Sequence, residues 1–251
     1  MKIRIGGIVD LSTVDWPRHI TLLLFCSGCN FRCPFCQNAS LVSRNSGREI
    51  DLEVIEERVE ANMGFLDALG FTGGEPTLQP EPILALCEWA KTKGLQTFLN
   101  TNGSNPQFID EMVRRELIDY VAMDVKAPFK EEAYRRVTGL RGDILKVMAN
   151  IRDSMAICER AGLPLEIRTT IVPTLIDDEK SIHEIAETIE GYGTYVLQEF
   201  FPFEDVPDMK LRKVKPPDRN SLLRLAKTAL EVGVEEVYIR TRGGGMERIS
   251  I

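Results

Sequence analysis

The 251-residue chain contains few histidines, no long apolar run, and only two cysteines outside one short segment. Its two histidines, His19 and His183, lie far apart in the sequence, so no histidine acid–base pair is evident. No run reaches the roughly 20 apolar residues that a membrane-spanning helix needs. The pattern of a secretory signal peptide is not recognised near the start either. We therefore expect a cytoplasmic protein whose cysteines stay reduced.

An excess of positive charge is also missing. The formal net charge is −7, from 31 lysines and arginines against 38 aspartates and glutamates. Because affinity for duplexes depends largely on neutralising phosphates, this composition argues against a nucleic-acid-binding protein. The hydrophobic fraction of 43% is ordinary for a globular protein, and a chain of this length folds without disulfide bonds.

Apolar runs of strand length alternate with helical patterns along the whole chain. Strands are predicted over 20–25, 68–71, 95–99, 120–123, 165–172, 195–200 and 236–239. Helices are predicted over 52–63, 82–93, 106–117, 144–161, 179–189 and 218–232. This alternation indicates an α/β fold with a parallel sheet, either a full or partial (β/α) barrel or a doubly wound sheet. We expect one domain over 1–251, with a C-terminal extension from about residue 205.

The unusual segments follow the predicted strands. They are a cysteine loop over 26–38 and the stretches TGGEP, NTNG, MDVK, RTTIVP and QEFFPF. In a barrel the active site lies at the C-terminal ends of the strands. These segments are therefore expected to meet at one mouth.

The segment CSGCNFRCPFCQN holds four of the six cysteines, and three arrangements of metal ligands are compatible with a cluster of thiols. A zinc site using all four thiols is crowded, because only three residues separate its two CxxC pairs. A four-thiolate electron-transfer cluster of the bacterial ferredoxin kind has a different order of gaps. The third arrangement uses only Cys29, Cys33 and Cys36, which would bind three irons of a 4Fe–4S cube. Its fourth iron would stay open, as the reactive position does in catalytic zinc sites.

The CxxxCxxC spacing followed by a strand-end GGE resembles the radical S-adenosylmethionine superfamily. The resemblance implies a (β/α)6 barrel with one 4Fe–4S cluster held by Cys29, Cys33 and Cys36. It also implies that S-adenosylmethionine binds the open iron and is cleaved to a 5′-deoxyadenosyl radical. Cys26 ends an apolar strand and is expected not to be a ligand. The remaining two cysteines, Cys87 and Cys158, are expected in the core.

Contacts to S-adenosylmethionine are implied for two of these loops. Phe35 is expected beside the adenine, although plain packing is the alternative. Gly73 and Gly74 allow close backbone approach. Their carbonyls, together with Glu75, are expected to accept hydrogen bonds from the ammonium group.

Other strand ends complete the expected site. Asp124 and Lys126 face one side of a strand by the period-two rule and either orient the carboxylate and ribose or form an ordinary ion pair. Arg168 suits a carboxylate, with a partner-facing role as the alternative. Asn100 and Thr101 stand where the related group has Asp-Thr. The Asp of that group helps to bind a monovalent cation, and this chain lacks its negative charge at Asn100.

Over nearly its whole length the chain resembles the activating enzymes of glycyl-radical proteins, in GGIVDLSTVDWPRH, TGGEPTLQP, AMDVKAP and LQEFFPF. The long-form activating proteins of anaerobic ribonucleotide reductase are the most similar, and pyruvate formate-lyase activating enzymes are related. Two departures are CQN in place of CHN and Glu204 where that group often has a histidine. The resemblance implies a glycyl-radical partner and a one-electron donor such as flavodoxin or ferredoxin. No catalytic side chain is implied beyond the cluster and S-adenosylmethionine.

Two alternatives stay open at this point. One is radical chemistry on a small molecule, as in 7-carboxy-7-deazaguanine synthase, and the other is an iron–sulfur electron carrier. The basic stretches 210–215 and 240–248 are interpreted as a solvated face and a mobile tail, with docking of a partner or a phosphate as the alternative.

Overall fold

A computed structural model describes residues 1–250 and contains one mixed sheet of ten strands. The strands are β1 (Lys2–Ser12), β2 (Thr21–Cys26), β3 (Arg48–Asp51), β4 (Ala68–Gly73), β5 (Gln96–Thr101), β6 (Tyr120–Asp124), β7 (Leu165–Ile171), β8 (Thr194–Glu199), β9 (Val237–Thr241) and β10 (Gly245–Ile249). The helices are α1 (Leu52–Glu60), α2 (Pro80–Thr92), α3 (Pro106–Arg114), α4 (Glu131–Thr138), α5 (Ile144–Arg160), α6 (Glu179–Ile189) and α7 (Arg219–Val232). None of the helices within this range has the length and apolar character needed to cross a membrane.

The sheet is wound in one direction. Its order is β10-β9-β8-β7-β6-β5-β4-β2-β1-β3, and the pairs from β2 to β9 are all parallel. Because each new parallel strand adds on the same side, right-handed crossovers bring the helices to one face. This is the winding of a barrel and not of a doubly wound sheet. The barrel is partial, since β3 and β10 lie at the two ends of the sheet.

The ends of the sheet depart from the parallel pattern. At one end β1 pairs antiparallel with both β2 and β3, and at the other β10 pairs antiparallel with β9. Residues 240–248 were interpreted as a mobile tail, and that interpretation was wrong, because residues 240–241 belong to β9 and residues 245–249 form β10. Residues 211–213 form a short 3-10 helix whose basic side chains are exposed.

Several helices begin at the acidic residues that start their sequence patterns. Asp143, Asp178 and Asp218 each accept a hydrogen bond from a backbone N–H in the first turn, at 2.8–2.9 Å. Asp51, which precedes α1, makes no such bond. These local signals fix where the crossovers start, and so bring the strands to a common edge.

Aromatic side chains close the N-terminal end of the concave face. Trp16 lies in the loop before β2 and is 6% exposed. Its ring stacks on Tyr120 at 5.0 Å and on His19 at 4.0 Å, between ring centroids. It also packs with Leu23 and Phe98 in a small apolar cluster separate from the core beneath the helices. The concave face is therefore filled at this end and open at the other.

Candidate active site

One cavity lies at the open end of the concave face, where the parallel strands finish. Its volume is about 190 Å³. The residues predicted from the sequence that line it are Cys29, Cys33, Phe35, Cys36, Gly73, Gly74, Asn100, Thr101, Asp124, Lys126 and Arg168. Of the predicted site residues only Glu75 does not line the cavity. In the structure these loops therefore meet at one mouth of the barrel, as the sequence predicted.

The four clustered cysteines do not share one environment. Cys29, Cys33 and Cys36 line the cavity, whereas Cys26 is fully buried in the core behind it. All six cysteines are free, and Cys87 and Cys158 are buried in the core as expected. Three thiols are thus available to one ligand and the fourth faces away.

Burial raises the pKa of these thiols and so disfavours their ionisation in the absence of a metal. Burial, and then the Glu75 carboxylate, raises the pKa of Cys29 to about 11. Burial raises the pKa of Cys33 to about 12 and that of Cys36 above its ordinary value, although Lys126 opposes each shift. A positively charged, soft metal group would stabilise the thiolates that burial disfavours.

The donor set fits an iron–sulfur cluster with one open position. Within residues 1–250 no three His, Cys, Asp or Glu side chains converge on a position for a single metal ion. A cluster places its irons apart, so its thiolates need to surround a cavity and not a point. Three thiols around one cavity meet that requirement and leave the fourth iron to another ligand.

Backbone hydrogen bonds hold the cysteine loop in place. The amide of Cys29 donates to the Val42 carbonyl at 3.1 Å, and that of Arg32 donates to the Thr138 carbonyl at 2.8 Å. On the side of the GGE turn, Gly74 N donates to Cys26 O at 2.8 Å. Main-chain contacts of this kind position the thiols without depending on the side chains between them.

Only glycine fits at the first two positions of the GGE turn. Gly73 has φ +108°, and a Cβ there would lie 2.5 Å from the Cys26 nitrogen. A Cβ on Gly74 would lie 2.2 Å from the Gly28 carbonyl oxygen. The end of β4 therefore approaches the cysteine loop more closely than any side chain permits.

The buried Glu75 carboxylate joins the ends of β4 and β5. Its Oε1 accepts from the Thr77 amide at 3.2 Å and from the hydroxyls of Thr77 and Thr101 at 2.7 Å each. Its Oε2 accepts from the amide of Asn102 at 2.7 Å. Four donors from the protein thus surround a side chain that the sequence assigned to the ligand.

Lys126 brings a positive charge to the cavity. Its Nζ lies 2.9 Å from Asp124 Oδ2 and 6.0 Å from the centroid of the Phe35 ring. Burial opposes its charge, but Asp124 and Cys33 outweigh burial and keep the pKa of Lys126 above its ordinary value. A charged ammonium group therefore faces the thiols, and it would stabilise thiolates or a bound carboxylate.

Arg168 extends from β7 into a group of charges beneath the cavity. Its Nε contacts Glu166, and its Nη2 donates to the Asp15 carbonyl at 3.0 Å. Glu166 also accepts from Tyr120 Oη at 2.7 Å and from Arg240 Nη2 at 3.0 Å. Sequence reasoning missed the two partners of Arg168 and the two further partners of Glu166, although Glu166 precedes Arg168 by two residues and so shares its face of the strand.

Polar residues that lie in the quoted segments, but were not individually predicted as site residues, complete the lining. They are Gln37, Asn38, Thr72, Asn102, Thr170 and Gln198. Asn38 Nδ2 donates to the Gly73 carbonyl, and Asn100 Nδ2 donates to Thr72 Oγ1, each at 3.1 Å. Glu204, at the position where the related group often has a histidine, is exposed.

Comparisons with known proteins agree with this geometry. The Radical SAM superfamily matches residues 23–188. A Methanocaldococcus jannaschii protein, provisionally named a glycyl-radical enzyme activating enzyme, is 36% identical, covering 98% of this chain and 100% of the relative. The pyruvate formate-lyase-activating enzyme of Clostridium pasteurianum is 28% identical, covering 91% of this chain and 98% of its own.

A solved structure shows the same fold. A radical SAM methyltransferase from Sphaerobacter thermophilus superposes with a TM-score of 0.69, at 16% identity, over 90% of this chain and 67% of its own. Family membership implies a 4Fe–4S cluster and S-adenosylmethionine, and it is consistent with the three-thiol cavity. The chain belongs to the radical S-adenosylmethionine superfamily and, within it, to the family of glycyl-radical enzyme activating enzymes.

Proposed function

We propose that this enzyme installs a glycyl radical on a partner protein and that the partner is anaerobic ribonucleotide reductase. The observation that carries the proposal is the meeting of Cys29, Cys33 and Cys36 at one cavity on the concave face of a sheet that does not close. An open barrel leaves a side through which a polypeptide segment can reach the cavity. The match to activating enzymes along nearly the whole chain supports a protein substrate over a small molecule.

The cofactors supply the reactive species. With a reduced cluster and S-adenosylmethionine bound, the site would supply a 5′-deoxyadenosyl radical able to take one hydrogen atom from the glycine Cα. The electron comes from a one-electron donor such as flavodoxin or ferredoxin, and a cytoplasmic location suits an oxygen-sensitive cluster. No protein base is required, since hydrogen leaves the glycine as an atom.

The chain's own residues bind and orient the cofactors and shield them from water. The three cysteines hold the cluster, and the glycines at 73 and 74 let the backbone approach a ligand's ammonium group. Lys126, fixed by Asp124 at 2.9 Å, offers a cation to a carboxylate. Phe35 is 6% exposed and presents an aromatic ring to an adenine, and its burial helps to exclude water.

One anaerobic reaction tests the proposal. Reconstituted enzyme, dithionite, S-adenosylmethionine and the anaerobic ribonucleotide reductase of the same organism are combined. A glycyl doublet is sought by EPR and 5′-deoxyadenosine by chromatography. We expect both products in equal amounts, and neither from reactions that lack the dithionite.

The other outcomes identify the part that is wrong. Deoxyadenosine without the doublet would retain the radical chemistry and reject this reductase as the partner. Neither product from a fully loaded, reducible cluster would reject the activating role and favour an electron carrier.

A further inference from the structure

The segment that follows β8 contacts the outer side of the cysteine loop. The backbone amide of Asp208 donates to the Pro34 carbonyl at 3.0 Å, and Pro34 stands between Cys33 and Cys36 in the sequence. Both cysteines line the cavity, whereas Pro34 does not. The segment around Asp208 therefore lies against the side of the loop that faces away from the cavity.

A run of exposed cations begins two residues after this contact, and no carboxylate interrupts it. The amide of Lys210 donates to Asp208 Oδ1 at 2.8 Å, which holds the start of the run close to the loop. Leu211 is 5% exposed and packs in the core, so the short 3-10 helix is anchored with its basic side chains outward. The run consists of Lys210, Arg212, Lys213 and Lys215.

These positive charges are not neutralised. Among residues 1–250 none of the four side chains forms an ion pair. Arg32 is exposed on the loop itself and donates only to the carbonyls of Cys29 and Phe31, at 2.6 and 2.7 Å. Glu204 and Asp205 lie earlier in the segment and offset only part of this charge. The five exposed cations form what we call the basic surface: Arg32, Lys210, Arg212, Lys213 and Lys215.

The location of the basic surface distinguishes two kinds of partner. A glycine-bearing segment has to enter the cavity, so it approaches through the mouth. A one-electron donor needs only to come close to the cluster, and the outer side of the cysteine loop brings it near the thiols without entering the cavity. Redox encounters between proteins bury little area and depend on complementary charge for their speed. In a chain of net charge −7, a positive surface at this place favours an acidic electron donor.

Resting on the proposed function, we propose that the basic surface docks the acidic one-electron carrier protein that reduces the cluster. One electron passes from the reduced carrier to the oxidised cluster, and no bond forms or breaks. Because exposed charges are screened over about 10 Å at 0.1 M salt, reduction by such a carrier should be fast at low ionic strength and slow as salt is added.

An acidic flavodoxin, prepared as the hydroquinone, tests the assignment. It is mixed anaerobically with the reconstituted enzyme in a stopped-flow instrument, and its semiquinone is followed by absorbance. The double variant Lys210→Gln/Lys213→Gln removes two charges and leaves Arg212, whose Nε donates to the Val206 carbonyl at 2.6 Å. Lys146→Gln/Lys227→Gln is the matched control, because it removes two exposed lysines from α5 and α7.

The expected effect depends on salt. At about 20 mM salt the variant of the basic surface should lower the second-order rate constant about fivefold, and at about 0.5 M salt less than twofold. The control variant should stay within about twofold of the wild type at both. Reduction by dithionite, a small molecule that needs no docking surface, should be equally fast in all three proteins.

Three results would overturn the assignment. They are a wild-type rate for the variant of the basic surface at low salt, an equal slowing with flavodoxin and with dithionite, and an equal slowing in the control variant. A wild-type flavodoxin rate together with a lost glycyl doublet would assign the surface to the glycyl-radical protein.

A second measurement separates this assignment from the proposed function. The glycyl doublet is sought with dithionite-reduced wild-type enzyme and the reductase. If the doublet is absent while flavodoxin reduces the cluster in the expected salt-dependent way, the proposed function fails and the docking surface stands. If the doublet forms but the flavodoxin rate ignores the two lysines, only the docking surface fails.

Discussion

Replacing Glu75 by glutamine separates a structural role of the GGE motif from a ligand-binding one. Three protein donors point at one carboxylate oxygen and the amide of Asn102 points at the other, at 2.7 Å. Glutamine keeps one oxygen but turns an N–H₂ group toward the Asn102 amide, so a donor meets a donor. A buried donor without an acceptor costs about 1–3 kcal/mol. We therefore expect Glu75→Gln to lower the free energy of unfolding by about that amount.

The assay is urea unfolding of the anaerobic apoprotein, followed by equilibrium dialysis of S-adenosylmethionine on the reconstituted enzyme. Glu199→Gln is the control. Glu199 is half-buried and accepts one backbone hydrogen bond, from Arg242 at 2.8 Å. Its replacement should cost no more than about 1 kcal/mol. For a chain of this length each kcal/mol corresponds to roughly 2–4 °C in Tm.

One outcome would refute this reasoning. If Glu75→Gln unfolds at the wild-type urea concentration yet loses S-adenosylmethionine binding more than about tenfold, the carboxylate acts directly on the ligand. The four hydrogen bonds would then not be what the side chain contributes. A parallel loss of stability and of S-adenosylmethionine binding would support a structural role for Glu75, in which its displacement disturbs the cavity.

Three further changes have expected results. Gly73→Ala should cost at least about 2 kcal/mol by urea unfolding, because it places a Cβ against backbone at a positive φ, while Gly64→Ala, with nothing within 4 Å, should stay within about 1 kcal/mol. Burial opposes ionisation of Glu166, but its two arginines outweigh burial and hold its pKa below 4.5. The stability that Glu166→Gln lacks should therefore be fully present in the wild type at neutral pH and shrink as pH falls below 4.5, and a pH-independent difference would contradict this. Cys26→Ala should keep its iron content and visible absorption, whereas Cys33→Ala should lose both, and equal losses would make Cys26 a ligand.

Much of the barrel was predictable because parallel strands are buried on both faces and read as continuous apolar runs. All seven parallel strands lie where such runs occur. The elements that were missed lack this signal. β1 carries two glycines and shifts register along its length, β3 has only four residues, and α4 is a short, highly charged helix. Their pairing depends on neighbours distant in sequence, and not on local pattern.

The candidate site likewise contains residues that the sequence indicates and residues that it does not. The cysteine spacing and the GGE turn carry strong signals because backbone geometry and metal chemistry restrict them to few residue types. The partners of Glu75 carry no such signal. Threonine and asparagine are common in the loops that follow strands. The contact of Thr101 and Asn102 with Glu75 is therefore evident only in three dimensions. Alternation along β7 does place Glu166 and Thr170 on the face of Arg168, and this signal could have found both.

An unclosed barrel has a consequence for the protein's own solubility. A closed barrel has no free strand edge, whereas this sheet ends in β3 and β10, each with main-chain groups available to another chain. Both edge strands are short and charged: β3 reads REID and β10 reads GMERI. Short length and paired opposite charges discourage edge-to-edge stacking. The opening through which we propose that a partner's segment enters thus carries an aggregation hazard, and the sequence limits that hazard at the two strands where it arises.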